Sequence, residues 1–165
     1  MTESSYPLDD YYRVELYDIR KGAIKGGFVA PIYAMIAIKL GVRPDIPEEQ
    51  MVNLIATSTD PDVQSLNGIL RNLLGEVNPP EAYTTDRANR ICLFTQQDFN
   101  NKAIFFELLC EFVYKYLPDF ELVYCKMNLS PEEILFRDEH QVVISKEVYS
   151  DHQPSIYYNF ELDDD

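Results

Sequence analysis

Few side chains in this sequence are suited to chemistry. It holds two histidines: His140, in the run Asp138-Glu139-His140-Gln141, and His152, in the loop Ser150-Asp151-His152-Gln153-Pro154. A carboxylate beside an imidazole can orient it for proton transfer, which is the chemistry either neighbourhood would support. A lone histidine in a charged turn or loop is usually only a turn or loop residue, so neither histidine is assigned a catalytic role.

Other candidate groupings fall short in identifiable ways. Asp119, Glu121 and Lys126 are spaced like the acids and lysine of a metal-dependent nuclease site. Tyr124 stands where the acid two residues before the lysine is needed, and a nuclease also requires a positive surface for its substrate. Asp60-Pro61-Asp62 could open a calcium loop, but Gln64 and Leu66 follow where further oxygen ligands belong. The same residues fit a helix start, with an acid at the cap and a proline in the first turn. The glycines of Lys21-Gly22-Ala23-Ile24-Lys25-Gly26-Gly27 could form an anion nest, yet they match no phosphate-loop spacing. Cys92, Cys110 and Cys125 are odd in number, show no CxxC spacing and have apolar neighbours, so reduced, buried thiols are expected. No metal or cofactor is expected from these patterns.

What remains is charge and tyrosine. The chain of 165 residues carries 28 acids against 14 Lys and Arg, a formal net charge of −14. The imbalance is local: residues 1–40 are neutral, whereas residues 121–165 hold eleven acids against three bases, a net of −8. Binding nucleic acid or an anionic membrane directly requires a basic patch, and the one basic cluster is Arg20, Lys21 and Lys25. An acidic surface fits a basic partner protein and speeds its encounter. Twelve tyrosines, with no tryptophan, often stand beside acids, and tyrosine offers contact area together with a polar tip. Glu139, Glu147, Tyr149, Tyr157, Tyr158 and Glu161 are therefore the candidate partner-binding residues. Acidity that serves solubility alone is the competing explanation.

The elements that would carry these residues follow from periodicity. Tyr12 to Ile19 alternates as a strand does, and residues 20–27 look like a glycine-rich loop. Phe28 to Leu40 is apolar on nearly every side and reads as a buried central helix closed by Gly41. It is shorter than the roughly 20 apolar residues that span a bilayer. Helices are expected from about Pro47 to Ala56, with Met51, Val52, Leu54 and Ile55 buried, and from Asp60 to Leu74. In the second, Val63, Leu66, Ile69, Leu70 and Leu73 form one stripe and Gly75 the stop. Glu76 to Asp86, with Pro79-Pro80, marks a possible subdomain boundary near residues 76–87 within one domain of 1–165.

In the C-terminal half, Arg90 to Thr95 reads as a short buried strand. Thr95 with Asp98 suggests a cap for a long amphipathic helix to Tyr116, with Glu107, Glu111 and Lys115 on its wet edge. Strands are expected at Phe120 to Met127, in a hairpin with arms 134–137 and 142–145, and at Ile156 to Leu162. The expected fold is α+β, a helical N-terminal half packed against an antiparallel sheet of about four strands, covered by the long helix. The expected function is a non-catalytic cytosolic binding protein of the inhibitor, immunity or adaptor type, facing a basic partner. A subunit of a homo-oligomeric assembly is the alternative, and a small carboxylate-based enzyme the second.

Overall fold

In the run DYYRVELYD the apolar side chains alternate, and it forms β1 (Asp10–Asp18), the axis of an antiparallel sheet. The computed structural model describes residues 10–43, 45–74, 81–153, 156 and 157. β1 pairs along its whole length with β4 (Phe120–Asn128), from Asp10↔Asn128 to Asp18↔Phe120. Its other edge is divided. β2 (Ala23–Gly27) takes the end at Glu15–Asp18, and β3 (Arg90–Thr95) takes Tyr11 and Tyr12. β6 (Gln141–Ser145) continues the sheet beyond β3 and pairs with β5 (Phe136–Arg137), while β7 (Ile156–Tyr157) flanks β4. The sheet thus has seven strands among the described residues, not about four.

Two differences from the sequence expectation have local causes. The stretch at residues 20–27 is a hairpin, not a loop. Gly22, at φ 65°, supplies the left-handed turn and donates its N–H to Asp18 O, and Gly26 and Gly27 then pair with Leu16 and Glu15. The second is α6 (Lys146–His152), which begins directly from β6 because the Ser145 side chain accepts the Val148 N–H at 3.1 Å. With β1 and β2 in the sheet, the N-terminal half is not purely helical.

α1 (Val29–Leu40), α2 (Glu48–Thr57), α3 (Pro61–Leu74) and the long α5 (Gln96–Tyr116) cover one face of the sheet, and the one-turn α4 (Glu81–Thr84) lies between α3 and β3 in the chain. α5 packs on β1, β3 and β4, and α1 and α3 pack on α5. α1 ends at Gly41, φ 73°, as its sequence suggests, but it is not enclosed on every side: Ile38 is 53% exposed. α2 turns Met51 and Ile55 inward, leaving Val52 exposed. α3 follows its stripe, with Val63, Leu66, Ile69, Leu70 and Leu73 buried, and the Asp60 carboxylate caps the Asp62 and Val63 N–H groups. Gly75, residues 76–80 of the possible boundary and residues 158–162 of the final strand lie outside the described residues.

Adjacent residues of β1 face opposite sides, and both sides are covered. Tyr12, Val14 and Leu16 enter the helical cluster, where Tyr12 stacks on Phe99 at 4.2 Å and Phe106 meets Phe28 edge-on at 5.4 Å. Tyr11 enters a second cluster with Ile91, Leu93, Met127, Val142 and Ile144, beneath α6.

Candidate functional site

The turn between β5 and β6 is clamped to the N-terminus of α5. Asp138 accepts the backbone N–H groups of His140 and Gln141 at 2.8 and 2.9 Å, which fixes the turn. Thr95, the N-cap of α5, accepts the Asp98 N–H and donates its hydroxyl to Glu139 O at 3.0 Å. His140 is thereby carried against α5, and its Nδ1 lies 3.1 Å from Asp98 Oδ1. One turn further along α5, Lys102 Nζ lies 2.5 Å from Asp98 Oδ2, and both residues are buried. Lys102 also sits over the Phe94 ring at 5.5 Å.

Asp98 thus divides its two oxygens between a lysine and an imidazole. A buried charge is tolerated only when paired and hydrogen-bonded, and here each side chain satisfies the others. The trio lines a cleft of about 470 Å³ with Arg71, Asn72, Gln97, Asn101, Phe105 and Glu139. Those wall residues include neither a hydroxyl nor a thiol, but the carboxylate, ammonium and imidazole of the trio are groups that can hold a polar ligand or move a proton. Across Gln97, Asn101 and Glu139 a second cleft, of about 750 Å³, is lined by Tyr11, Thr95, Gln96, Asn100, Arg137 and Asp138. Glu139 stands on the ridge between them, its side chain 86% exposed and its Oε1 3.5 Å from His140 Nε2.

A second polar group lies under α6. Glu15 is buried in β1; one carboxylate oxygen accepts from Arg13 Nε at 3.1 Å and the other from the Tyr149 hydroxyl at 2.5 Å. Cys125 Sγ is 2.9 Å from that hydroxyl, and Arg13 also donates to Cys92 O where β3 splays away from β1. Burial, then the neighbouring thiol and carboxylate, raise the Tyr149 hydroxyl far above its usual range, so it stays a donor. His152 closes the other end of α6, with Nε2 2.9 Å from Glu133. The Ser130 N–H, followed by His152, holds the Glu133 carboxyl below its ordinary range.

Comparison with family models, curated proteins and solved structures finds no match. Among the described residues, no helix is long and apolar enough to cross a membrane, and no cluster of three or more His, Cys, Asp or Glu is placed to hold a metal ion.

Of the six residues singled out from the sequence, Glu139, Glu147, Tyr149 and Tyr157 lie among the described residues. Glu139 lies on the cleft ridge and Glu147 is exposed on α6. Tyr149, two residues on, turns inward and spends its hydroxyl on Glu15. Tyr157 is 40% exposed at the sheet edge, stacked on Tyr124 at 5.2 Å with Lys126 near its ring. Tyr158 and Glu161 lie outside the described residues. Sequence reasoning missed Asp98 and Lys102, although their i, i+4 spacing was visible, because nothing local marks that pair as buried. Both histidines serve as hydrogen-bonded clamps between elements.

Proposed function

We propose that the protein is a non-catalytic binding protein that engages a basic partner protein, with Glu139 as a principal contact. The observation that carries this reading is the position of Glu139, an exposed carboxylate on the ridge between two open, polar clefts. The two clefts carry five amides, Asn72, Gln96, Gln97, Asn100 and Asn101, which can donate to or accept from whatever enters. Beside them stand the cations of Arg71, Lys102 and Arg137 and the carboxylates of Asp98 and Asp138. A lysine or arginine reaching into either cleft would meet a carboxylate at the rim. The Asp98–Lys102–His140 trio would act as a rigid wall, because its charges already satisfy one another. Charge complementarity would steer the encounter, and the net charge of −14 would extend that attraction beyond the contact itself.

The test begins with capture from extracts of the native host and identification by mass spectrometry, followed by purification of the captured protein. The partner is expected to be basic, and its association rate to fall steeply with salt. The double variant Glu139→Lys/Glu147→Lys should slow association more than it speeds dissociation, whereas reversal of Glu48 and Glu49 on α2 should change association much less. An association rate unchanged in Glu139→Lys/Glu147→Lys at low salt would overturn the proposal.

A further inference from the structure

The outward face of α5 departs from the pattern of a wet helix edge. Gln97, Asn101, Ile104, Leu108, Glu111 and Lys115 recur at spacings of four and three, so they share one stripe, and all are exposed. Over these eighteen steps the stripe runs about 27 Å. It begins on the ridge beside Glu139, because Gln97 and Asn101 line both clefts. In its middle Ile104 is 60% exposed and Leu108 41%, and Tyr114, 83% exposed, lies about 9 Å beyond Leu108 along the axis and roughly a quarter-turn off the stripe. Scattered apolar side chains on a surface are ordinary, but an exposed Ile and Leu one turn apart on the same stripe make an apolar strip at its centre.

Charge indicates what covers it. Lys115, at the far end, is committed to Asp62 at 2.9 Å. Glu107 and Glu111 have no cation within ion-pair distance among the described residues, and with Glu121 they lie close enough to Cys110 to add to the rise that burial gives its thiol. The strip is therefore flanked by uncompensated carboxylates at one end and by Glu139 at the other. Two copies of the chain meeting antiparallel on this face, about an axis between Ile104 and Leu108, would bring Glu107 near its own copy and Glu111 toward the end that carries Glu139, which is unfavourable. A partner with cations at both ends and apolar side chains between them meets no such conflict.

We propose that the α5 face centred on Ile104 and Leu108 is the anchor for a basic, amphipathic segment of a partner protein, laid along α5 from Glu139 to Glu111. The inference rests on the basic-partner reading and adds where the dissociation rate is set. Apolar anchors excluded from water hold a complex together, while exposed charges govern its formation.

The probe is a synthetic helical peptide of about 18 residues, with leucines one turn apart in its middle and arginines at both ends. One control scrambles the leucine positions at constant charge, and another replaces every arginine by glutamate. Peptide binding is measured on the full chain and on Ile104→Ser/Leu108→Ser, with thermal melting and solution mass recorded for both proteins. The expected result is binding of the first peptide alone, weakened about tenfold in the variant, mainly through faster dissociation. Melting should be unchanged and the mass monomeric. If the arginine and glutamate peptides bind equally, the basic-partner reading fails. If arginine matters but neither scrambling nor the serine variant does, that reading stands and the α5 anchor is wrong. A large drop in melting temperature would mean that the chain itself covers the strip. A wild-type dimer lost in the variant would mean that a second copy does. Either result overturns the proposal.

Discussion

On one side of the sheet Tyr12, Val14 and Leu16 meet a cluster in which Phe28, Phe94, Phe99 and Phe106 contact one another by stacking and edge-on packing. On the other side, one residue along the same strand, Arg13 and Glu15 meet Tyr149 and Cys125 through hydrogen bonds. Both sides are buried, but they are held differently. The helical side gains from area removed from water and from close packing, and no single contact is indispensable. The α6 side includes a buried carboxylate, whose desolvation is offset only while its donors remain in place. Damage to the first should scale with volume removed, and damage to the second with donors removed.

The largest effect is therefore expected where the most volume is lost. Phe106 is fully buried and touches three other phenylalanines, so Phe106→Ala should cost about 3–5 kcal/mol. Leu70, 6% exposed in the middle of the α3 stripe, should lose about 2–5 kcal/mol on truncation to Ala. Urea denaturation midpoints at constant slope would measure both. If Phe106→Ala cost less than about 1 kcal/mol, the aromatic side would not be the principal core.

Thiol reactivity is the next largest. Of the three thiols expected to be buried, Cys125 is, and Cys92 and Cys110 are only partly so; burial still pushes Cys92 up to about 11 and Cys110 and Cys125 up to about 12. Only the thiolate attacks, and at pH 8 a thiol of pKa about 11 is ionised roughly once in a thousand molecules. Labelling of the native protein at pH 8 should thus run about two orders of magnitude slower than in denaturant at Cys92 and about three at Cys110 and Cys125. It should rise about tenfold per pH unit, because ionisation increases with pH. Fast labelling of two or more thiols at pH 8 would show that the sheet does not cover them.

These expectations also show what was legible in the sequence. α3 was, because Asp60, Pro61 and the spacing from Val63 to Leu73 are all local signals that agree. The alternation of β1 was legible too, but not its consequence. A charge at Glu15 marks a solvated face only when nothing covers it, and the cover comes from Tyr149, far along the chain. β2 was missed because glycines suggest a loop, whereas pairing of Gly26 and Gly27 with β1 makes the strand. Asp98, Lys102 and His140 were each visible, but their meeting depends on the β5–β6 turn closing over α5. Ile104 and Leu108 fell on the wet edge of α5 beside Glu107 and Glu111, a mismatch already present in the periodicity. Local pattern gave the elements, and long-range pairing gave the site.

A smaller effect separates the two sides of the sheet directly. Tyr149→Phe removes one oxygen and almost no volume, so a packed face would barely respond. Here it takes the 2.5 Å donor from buried Glu15, leaving Arg13 and the more distant Cys125 thiol. The expected cost is about 1–3 kcal/mol. Hydrogen exchange should show α6 opening more readily than α5, since the hydroxyl ties α6 to β1. If Tyr149→Phe were neutral, the α6 side would be held by packing alone and the contrast would disappear.

The smallest effect is expected for Glu139→Lys/Glu147→Lys, whose stability bears on how its binding data are read. Glu139 gives up a weak contact, its Oε1 lying 3.5 Å from His140 Nε2 with the side chain 86% exposed. Exposed ion pairs contribute roughly 0–1 kcal/mol, and salt screens them. The new lysine at 139 would approach His140 and Lys102, but Asp98 already neutralises that corner. In the other direction, exchanging acids for bases in a chain of net charge −14 lowers its self-repulsion. The opposing terms are similar in size, so the urea midpoint should move by no more than about 0.5 kcal/mol. A loss above about 1.5 kcal/mol would show instead that Glu139 braces the turn clamped to α5. Slower association by the variant would then report a displaced His140, and docking at the ridge would have to be tested by changing charge on the partner.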